Sequence, residues 1–392
     1  MAGPLSHIRV LDLSRILAGP FSGQILADLG ADVIKVERPG DGDDTRQWGP
    51  PFRTNPDGSR GDAAYYLAAN RGKRSVTADL GTAEGQALVK ALAARSDIIL
   101  ENFKVGGLAK YGLDYEGLKA IKPDIIYCSI TGFGQDGPRA DQAAYDFMIQ
   151  AMGGLMSVTG EPEDTPGTGP QKAGIPVVDL MTGLYATIAV LAALARRDQT
   201  GEGEHIDIGL LDVMVGSLCN SAQSYLVSGK TPKRAGNRHP FIQPQDVFAC
   251  RDGYIAIAVG NDGQFRAFAA AIDRPDLAVD PRFASNGGRL ENLSALTPEI
   301  AATLGGDDVH AWVRKLEAIG VPCAPINSIP QALADPQAVH RGMLVELEHP
   351  VTGLLRTLAS PMHFRNAPID YRRAPPLVGE HDAEVRAELD GD

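Results

Sequence analysis

Short apolar runs alternate with segments of helical spacing along the first third of the chain. Residues 8–13 and 32–37 are apolar-rich runs that predict strands, and residues 21–29 between them carry apolar side chains at helical spacing. The alternation continues with predicted helices at 88–94 and 118–121 and predicted strands at 97–100 and 124–130. Continuous apolar strands separated by helices are typical of a parallel sheet that is covered on both faces. The sequence therefore predicts an open α/β fold for the N-terminal half.

The pattern changes after residue 180. The apolar stretch 180–195 predicts a buried helix, because polar residues interrupt it and it is shorter than the ~20 residues of a membrane span. An alternating strand at 205–208 and a helix at 210–226 follow, and later segments mix strand and helix patterns. The predicted organisation is a large α/β domain at 1–200, a linker helix region at 201–234, a small α+β domain at 235–330 and a C-terminal segment at 331–392.

Composition and charge narrow the class of protein. The 392 residues include 37 Lys and Arg against 49 Asp and Glu, which gives a formal charge of −12. This acidity argues against a protein that binds nucleic acid electrostatically, although a local basic patch can still hold phosphates. The four cysteines have no CxxC spacing, and no basic segment precedes an apolar run at the N-terminus. We therefore expect a cytoplasmic protein with reduced cysteines that neither binds nucleic acid nor spans a membrane.

Three segments carry candidate chemistry, and each has an alternative interpretation. Residues 70–75 form the densest basic cluster, which fits either phosphate binding or a solvated surface turn. Residues 159–170 place three carboxylates among glycines and prolines, which fits either a nucleophile on a functional loop or an exposed acidic connector. His239 lies in a turn-like segment, from which it can reach a substrate or serve only in packing. The eight histidines form no HxH or HExxH pattern, so we predict no metal.

A set of short motifs runs in order along nearly the whole chain. They are residues 10–20 (Val-Leu-Asp-Leu-Ser-Arg-Ile-Leu-Ala-Gly-Pro), 27–37, 70–75, 101–103, 132–134, 160–162, 320–323 and 379–381. Each motif is modest alone, but the ordered set resembles the family III CoA-transferases. That group includes formyl-CoA transferase, carnitine CoA-transferase and the alpha-methylacyl-CoA racemases.

The resemblance implies an interlocked homodimer. Each subunit would have a large Rossmann-like α/β domain, built from both ends of the chain, and a smaller central domain. Coenzyme A or its acyl thioester would lie along the large domain as a substrate. The implied CoA contacts are Leu17, Ala18, Arg38, Asn70, Arg71, Lys73, Arg74, Asn102, Phe103, Lys110, Thr131 and Gly132.

Two of these positions differ from the formyl-CoA transferase pattern. Leu17 stands where those enzymes have a glutamine, which argues against formate- or oxalate-like specificity. Lys110 stands where they have an arginine, so the charge is kept but the bidentate fork is lost.

The resemblance also implies a catalytic carboxylate. In transferases of this family, a carboxylate attacks the acyl-CoA thioester and forms a mixed anhydride, and an enzyme–CoA thioester follows. Counting from Thr159 and Gly160, the implied position is Glu163, and Asp164 follows it. We favour Asp164 as the nucleophile because it keeps the shorter side chain, with Glu163 as the neighbouring choice. Gly236, Asn237 and His239 are the implied contributors to an acyl pocket.

The racemase branch of the family needs different residues. It has a histidine just before an aspartate near residue 146 and a second acid at the position of Asp179. Asp179 is present, but Tyr145 occupies the histidine position, which counts against proton abstraction on both faces of the α-carbon. We therefore predict an acyl-CoA:carboxylate CoA-transferase. The alternatives are an acyl-CoA racemase or isomerase and a non-catalytic CoA-binding protein.

Overall fold

The structure is a computed structural model that describes residues 3–163 and 165–391. Its strands are β1 (Arg9–Asp12), β2 (Asp32–Glu37), β3 (Phe52–Thr54), β4 (Arg60–Ala63), β5 (Lys73–Thr77), β6 (Ile98–Glu101), β7 (Ile126–Thr131), β8 (Glu204–Gly209), β9 (Gln245–Ala249), β10 (Tyr254–Ala258), β11 (Cys323–Pro325), β12 (Leu344–His349) and β13 (Gly353–Leu358). Its α-helices are α1 (Ala18–Asp28), α2 (Ala64–Leu67), α3 (Ala83–Ala94), α4 (Tyr115–Lys119), α5 (Asp146–Met152), α6 (Leu155–Val158), α7 (Val177–Thr200), α8 (Leu210–Ser217), α9 (Cys219–Ser228), α10 (Asp262–Ala271), α11 (Pro275–Val279), α12 (Asn286–Glu291), α13 (Leu293–Leu304), α14 (Val309–Glu317), α15 (Ile329–Leu333), α16 (Pro336–His340) and α17 (Asp382–Asp390).

Six parallel strands form the largest sheet, in the order β5-β2-β1-β6-β7-β8. Val10 of β1 lies opposite Val33 of β2 on one side and Ile98 of β6 on the other. Each of these residues is buried, as expected for strands covered on both faces. The open parallel fold predicted from the alternation of strands and helices is confirmed.

The two faces of this sheet carry separate apolar cores. One core contains Val10, Leu26 of α1 and Val190 of α7. The other contains Leu11, Leu92 of α3 and Val385 of α17. Because Val385 belongs to the C-terminal helix, both ends of the chain contribute to the packing around the sheet.

The chain divides into two compact units. The sheet unit comprises Met1–Leu155, Ala173–Gln223 and Pro336–Asp392, and the small unit comprises Met156–Lys172 and Ser224–Asp335. These bounds differ from the predicted ones, chiefly because β8 is not a linker. It pairs with β7 along its length, with Ile206 opposite Cys128, and so forms the last strand of the sheet.

The small unit has its own antiparallel sheet, in the order β11-β10-β9. Ile255 and Ile257 lie two residues apart in β10 and so share one face of that sheet. They pack in a core with Phe265 of α10 and Trp312 of α14. Two separate hairpins, β3–β4 and β12–β13, belong to the sheet unit.

Helix α7 is the one helix of the described residues that is long and apolar enough to cross a membrane, judged by length and composition alone. Ala186 and Val190 are fully buried in the core beside α1. The contact with α1 is close at Gly183, where a methyl group would lie 2.7 Å from the carbonyl oxygen of Ala18.

The helix predicted at 210–226 is broken in the structure. Helix α8 ends at Ser217, and α9 begins at Cys219, which has a positive φ of 43°. A backbone angle in this region interrupts helical hydrogen bonding, which apolar periodicity alone does not reveal.

Candidate active site

Two cavities open at the carboxyl ends of the parallel strands, around the point where the strand order reverses between β1 and β6. The first, which we name the Asp179 cavity, has a volume of about 490 Å³. The second, which we name the Arg38 cavity, has a volume of about 350 Å³. Arg15 and Phe103 line both, so the two cavities are adjacent. Ligands of open α/β sheets bind at such switch points.

The structure brings together seven of the predicted CoA contacts at these two cavities. Six of them line the Asp179 cavity: Leu17, Ala18, Asn102, Phe103, Thr131 and Gly132. Arg38 lines the second cavity together with Phe103. Lys110 lies beside it, with its Nζ 4.6 Å from the ring centroid of Tyr111, which lines the Arg38 cavity.

The turn after β1 is joined to the turn after β6 by paired hydrogen bonds. The backbone N–H of Arg15 donates to Asn102 Oδ1 at 2.9 Å, and Asn102 Nδ2 donates to the carbonyl oxygen of Arg15 at 2.6 Å. Ile16, the next residue, has a φ of 73°, a strained value for a β-branched side chain. Strain of this kind is concentrated at functional sites, and here it occurs where the chain enters the Asp179 cavity.

Asp179 is the carboxylate that the fold buries in this cavity. It lies in the first turn of α7 and is only 9% exposed. Burial, together with the charge of Asp146, raises the pKa of Asp179 to about 7. Asp146 in turn accepts the backbone N–H groups of Val178 and Asp179, at 2.8 and 3.2 Å, and so caps a helix whose own N-cap residue is Pro176. A buried carboxylate that titrates near neutrality is suited to reversible acyl chemistry.

Aromatic residues surround this pair of carboxylates. Burial and the charges of Asp179 and Asp146 raise the pKa of Tyr65 to about 12, so its hydroxyl remains protonated. The Tyr65 ring meets Trp48 edge-on, with ring centroids 5.5 Å apart, and Trp48 lines the Asp179 cavity. Sequence reasoning did not single out Trp48 or Tyr65, because nothing local to their segments distinguishes them from core aromatics.

The cations of the basic cluster at 70–75 form buried ion pairs. Arg71 pairs with Asp28 at 2.5 Å, Lys73 with Asp12 at 2.8 Å and Arg74 with Asp32 at 2.5 Å. The side chains of all three cations are at least 94% buried. Asn70 is also buried, donating to the carbonyl oxygen of Tyr66 and accepting from Lys73.

The reason for these pairings is topological. Lys73 begins β5, an edge strand of the sheet that pairs with β2, so the cluster enters the sheet instead of forming a surface loop. Buried cations require partners, and acidic residues of β1, α1 and β2 supply them. The side chains of Asn70, Arg71, Lys73 and Arg74, which we predicted to contact CoA, therefore have buried hydrogen-bond and ion-pair partners within the sheet unit.

The predicted nucleophile loop belongs to the small unit. Asp164 lies outside the described residues. Glu163 is exposed and lies 3.5 Å from Lys233 and 3.9 Å from Arg234, at the ion-pair limit. No buried setting comparable to that of Asp179 surrounds Glu163.

The predicted acyl-pocket residues are only partly brought together. Gly236 and Asn237 line a cavity of about 680 Å³ that Glu161, Pro162 and other residues of the small unit complete. His239 does not line that cavity. Its Nδ1 accepts the backbone N–H of Phe241, a local turn contact.

Within the described ranges, no group of three or more His, Cys, Asp or Glu side chains is arranged to hold a metal ion. The candidate site therefore consists of carboxylates, aromatic rings and cations.

A sequence profile of CoA-transferase family III matches residues 5–382. The chain belongs to this family. It is 49% identical over 387 residues to the succinate–glutarate CoA-transferase of Agrobacterium fabrum, covering 99% of this chain and 96% of that one. It is 39% identical over 389 residues to the succinyl-CoA:mesaconate CoA-transferase of Haloarcula hispanica, covering 98% and 96%. A crystal structure of a CAIB/BAIF family protein from Brucella suis superposes with a TM-score of 0.91 at 50% identity, covering 99% of this chain and 100% of the other.

Membership in this family indicates what the two cavities have to bind. A CoA-transferase must bind a long anionic cofactor and bring its thioester to a nucleophile. The Arg38 cavity offers cations and aromatic rings, and the Asp179 cavity offers a buried carboxylate. Both cavities lie at one edge of the parallel sheet.

Proposed function

We propose that this enzyme transfers CoA between an acyl-CoA thioester and a short dicarboxylic acid, with Asp179 as the nucleophile. The acid class is taken from the relatives, which are named for succinate, glutarate and mesaconate. The observation that carries the choice of Asp179 is its burial in the cavity lined by the predicted CoA contacts. This choice replaces Asp164 and Glu163 as the first candidate.

The nucleotide end of CoA would occupy the Arg38 cavity, and the thioester would occupy the Asp179 cavity. Phe103 and Arg15, which line both, would contact the middle of the molecule. Arg38 is exposed and shares only loose ion pairs with Asp41 and Asp44, at 4.0 and 3.4 Å, so its guanidinium can turn toward phosphates. An acidic protein needs only a few such local cations to hold CoA.

The reaction proceeds by acyl transfer through the Asp179 carboxylate. Its oxygen attacks the thioester carbonyl, the carbon–sulfur bond breaks, and CoA leaves as a thiolate from an acyl–aspartyl anhydride. The thiolate then attacks the aspartyl carbonyl, which releases the first acid and forms an aspartyl–CoA thioester. The acceptor carboxylate attacks that thioester and repeats the two steps in reverse, regenerating Asp179. The Tyr65 hydroxyl, which stays protonated near Asp179 and Asp146, would be the donor that stabilises the oxyanions.

The experiment that tests this proposal traps the intermediate. The enzyme is incubated with succinyl-CoA, treated with borohydride or hydroxylamine, and digested for mass spectrometry. We expect the modification on Asp179, its loss in Asp179→Asn, and wild-type labelling in the controls Glu163→Gln and Asp164→Asn. A label on residue 163 or 164 would return the nucleophile to the small unit.

The same incubation in heavy water separates the alternative functions. Exchange of the α-proton without a trapped residue would indicate a racemase or isomerase. Binding of CoA with neither exchange nor trapping would indicate a non-catalytic CoA-binding protein. Transfer of CoA to glutarate, measured by chromatography of the acyl-CoA products, is the expected result.

We also propose that the enzyme is a homodimer in the cytoplasm, interlocked as the family resemblance implies. Leu184, Tyr185 and Ile188 of α7 are exposed apolar side chains, which suits contact with a second copy. The four cysteines are free, which suits a reducing compartment. Light scattering coupled to size exclusion tests the dimer, and a monomer at micromolar concentration would contradict it.

A further inference from the structure

The turn formed by Asn102 and Phe103 connects the two cavities. Asn102 holds the front of this turn to the β1 turn through its two hydrogen bonds with Arg15. The Phe103 ring lines both cavities, with the Arg15 guanidinium carbon 5.8 Å from its centroid. The orientation of this turn therefore decides whether the Phe103 ring and the Asn102 side chain can contact a bound CoA at the same time.

A buried carboxylate accepts a hydrogen bond from the backbone of the same turn. Glu101, the last residue of β6, is 5% exposed and accepts the backbone N–H of Phe103 at Oε2, 2.8 Å away. Ser129 lies opposite Glu101 on β7, and its hydroxyl opposes the rise in the pKa of that carboxylate. Ser129 Oγ lies 3.0 Å from His205 Nε2 on β8. Three neighbouring strands thus supply a row of polar side chains beneath the turn.

This row lines a further small cavity, which shares Lys104 and Val105 with the Asp179 cavity. Its volume is about 50 Å³, and loop residues 104–108 close it. Burial raises the pKa of Glu101 to about 6, and the charge of Asp207 adds to the effect. At neutral pH the carboxylate is ionised, so it accepts hydrogen bonds and donates none. Hydrogen bonds to an ionised acceptor are stronger than neutral ones.

We propose that Glu101 is a positioning residue that directs the Asn102–Phe103 turn toward CoA through its hydrogen bond to the Phe103 amide. The proposal rests on the CoA-binding role given to this turn under the proposed function. Glu101 itself contacts no reacting atom. Its effect is expected on binding of the thioester substrate, because that substrate carries CoA and the free acceptor acid does not.

The test compares substitutions that keep or remove the acceptor. Glu101→Gln keeps a carbonyl oxygen for the Phe103 amide, and Glu101→Leu has similar size but no acceptor. Ser129→Ala removes the hydroxyl that supports the carboxylate. Glu317→Gln, an exposed glutamate at the end of α14, is the matched control for loss of one negative charge. KM for succinyl-CoA, KM for glutarate and kcat are measured for each, together with the dissociation constant for CoA and the melting temperature.

We expect Glu101→Leu to raise the KM for succinyl-CoA and the dissociation constant for CoA by about tenfold, the effect of losing one charge-assisted hydrogen bond. The KM for glutarate and kcat should change by less than about twofold. Glu101→Gln should recover most of the CoA affinity, and Ser129→Ala should fall between them. These results would assign the effect to the hydrogen bond acceptor.

Other outcomes overturn the proposal. If both KM values rise together, or kcat falls at unchanged KM, Glu101 supports the whole site and not the turn. If Glu101→Gln binds CoA as weakly as Glu101→Leu, the acceptor role is wrong. If Glu101→Leu does not fold, the dissociation constants of Glu101→Gln and Ser129→Ala for CoA still test the acceptor role of Glu101. A wild-type enzyme that does not bind CoA would refute the proposed function itself, whereas normal binding with unaffected variants refutes only this inference.

Discussion

The raised pKa of Asp179 makes the pH dependence of the reaction a direct test of its role. The nucleophile must be ionised, and burial together with Asp146 raises its pKa from 3.8 to about 7. Below pH 7, kcat/KM should therefore fall about tenfold per pH unit, and only about 1% of the carboxylate is ionised at pH 5. An aspartate in an ordinary environment would give a flat profile over this range, because its pKa is near 4.

The Asp146→Asn variant identifies the titrating group. Asparagine keeps one oxygen to cap α7 but removes the charge beside Asp179. The pH below which kcat/KM falls should decrease by about one unit. This is less than the full rise in the pKa of Asp179, because burial is the larger cause of that rise and the substitution does not change it. A limb that belongs to a substrate group would not move.

The same shift predicts the stability of Asp179→Asn. A carboxyl whose pKa is raised in the folded state destabilises the fold above that pKa, and the penalty is relieved as the pH falls through 7 toward 3.8. A rise of about three units corresponds to about 4 kcal/mol. We therefore expect Asp179→Asn to be more stable than wild type at pH 8 and similar to it below pH 4, measured by urea denaturation. A profile of kcat/KM that is flat from pH 5.5 to 8, with no stabilisation at pH 8, would refute this account of Asp179.

Two further predictions concern the fold around the site. Lys73→Met leaves the buried Asp12 without its closest cation, 2.8 Å away. We therefore expect the free energy of unfolding, measured by urea denaturation, to fall by about 3–5 kcal/mol, with little change in the CoA affinity of the folded protein. Weaker CoA binding at unchanged stability would instead support a phosphate contact by Lys73. Gly183→Ala places a methyl group 2.7 Å from the carbonyl oxygen of Ala18 and should cost about 1–3 kcal/mol, seen as a lower melting temperature. Gly287→Ala, which meets open space, is the control and should be neutral or stabilising; equal effects of the two substitutions would contradict the close packing of α1 and α7.

The local sequence pattern was sufficient to predict the strands of the central sheet, but it did not show the partners of the basic cluster at 70–75. The strand predicted at 32–37 is β2 to the residue, because its β-branched residues Val33, Ile34 and Val36 favour a strand. Arg71, Lys73 and Arg74 looked like a phosphate loop because their carboxylate partners lie 43, 61 and 42 residues away in the chain. Such pairings depend on strand order, which no local window contains.

For a related reason, the sequence indicated Asp179 only as the acid of the racemase branch and not as a nucleophile. Its neighbours in sequence are ordinary apolar helix residues, and its raised pKa comes from tertiary burial and from Asp146, 33 residues earlier. The carboxylates at 161–164 were more conspicuous because they lie among glycines and prolines. Composition alone drew attention to that loop, whereas the burial of Asp179 depends on the tertiary fold.

The treatment of buried charge is what distinguishes the site from the scaffold. Asp12 and Asp28 are each bound to a buried cation, so their charges are neutralised. In the described part of the chain, neither Asp179 nor Asp146 forms an ion pair with Lys or Arg, although they lie close enough for one to raise the pKa of the other. The fold pairs buried carboxylates such as Asp12 and Asp28 with cations but leaves Asp179 without one beside Asp146, which keeps an unfavourable charge at this site. Acylation of Asp179 removes that charge, so the same burial that destabilises the free carboxylate favours the covalent intermediate.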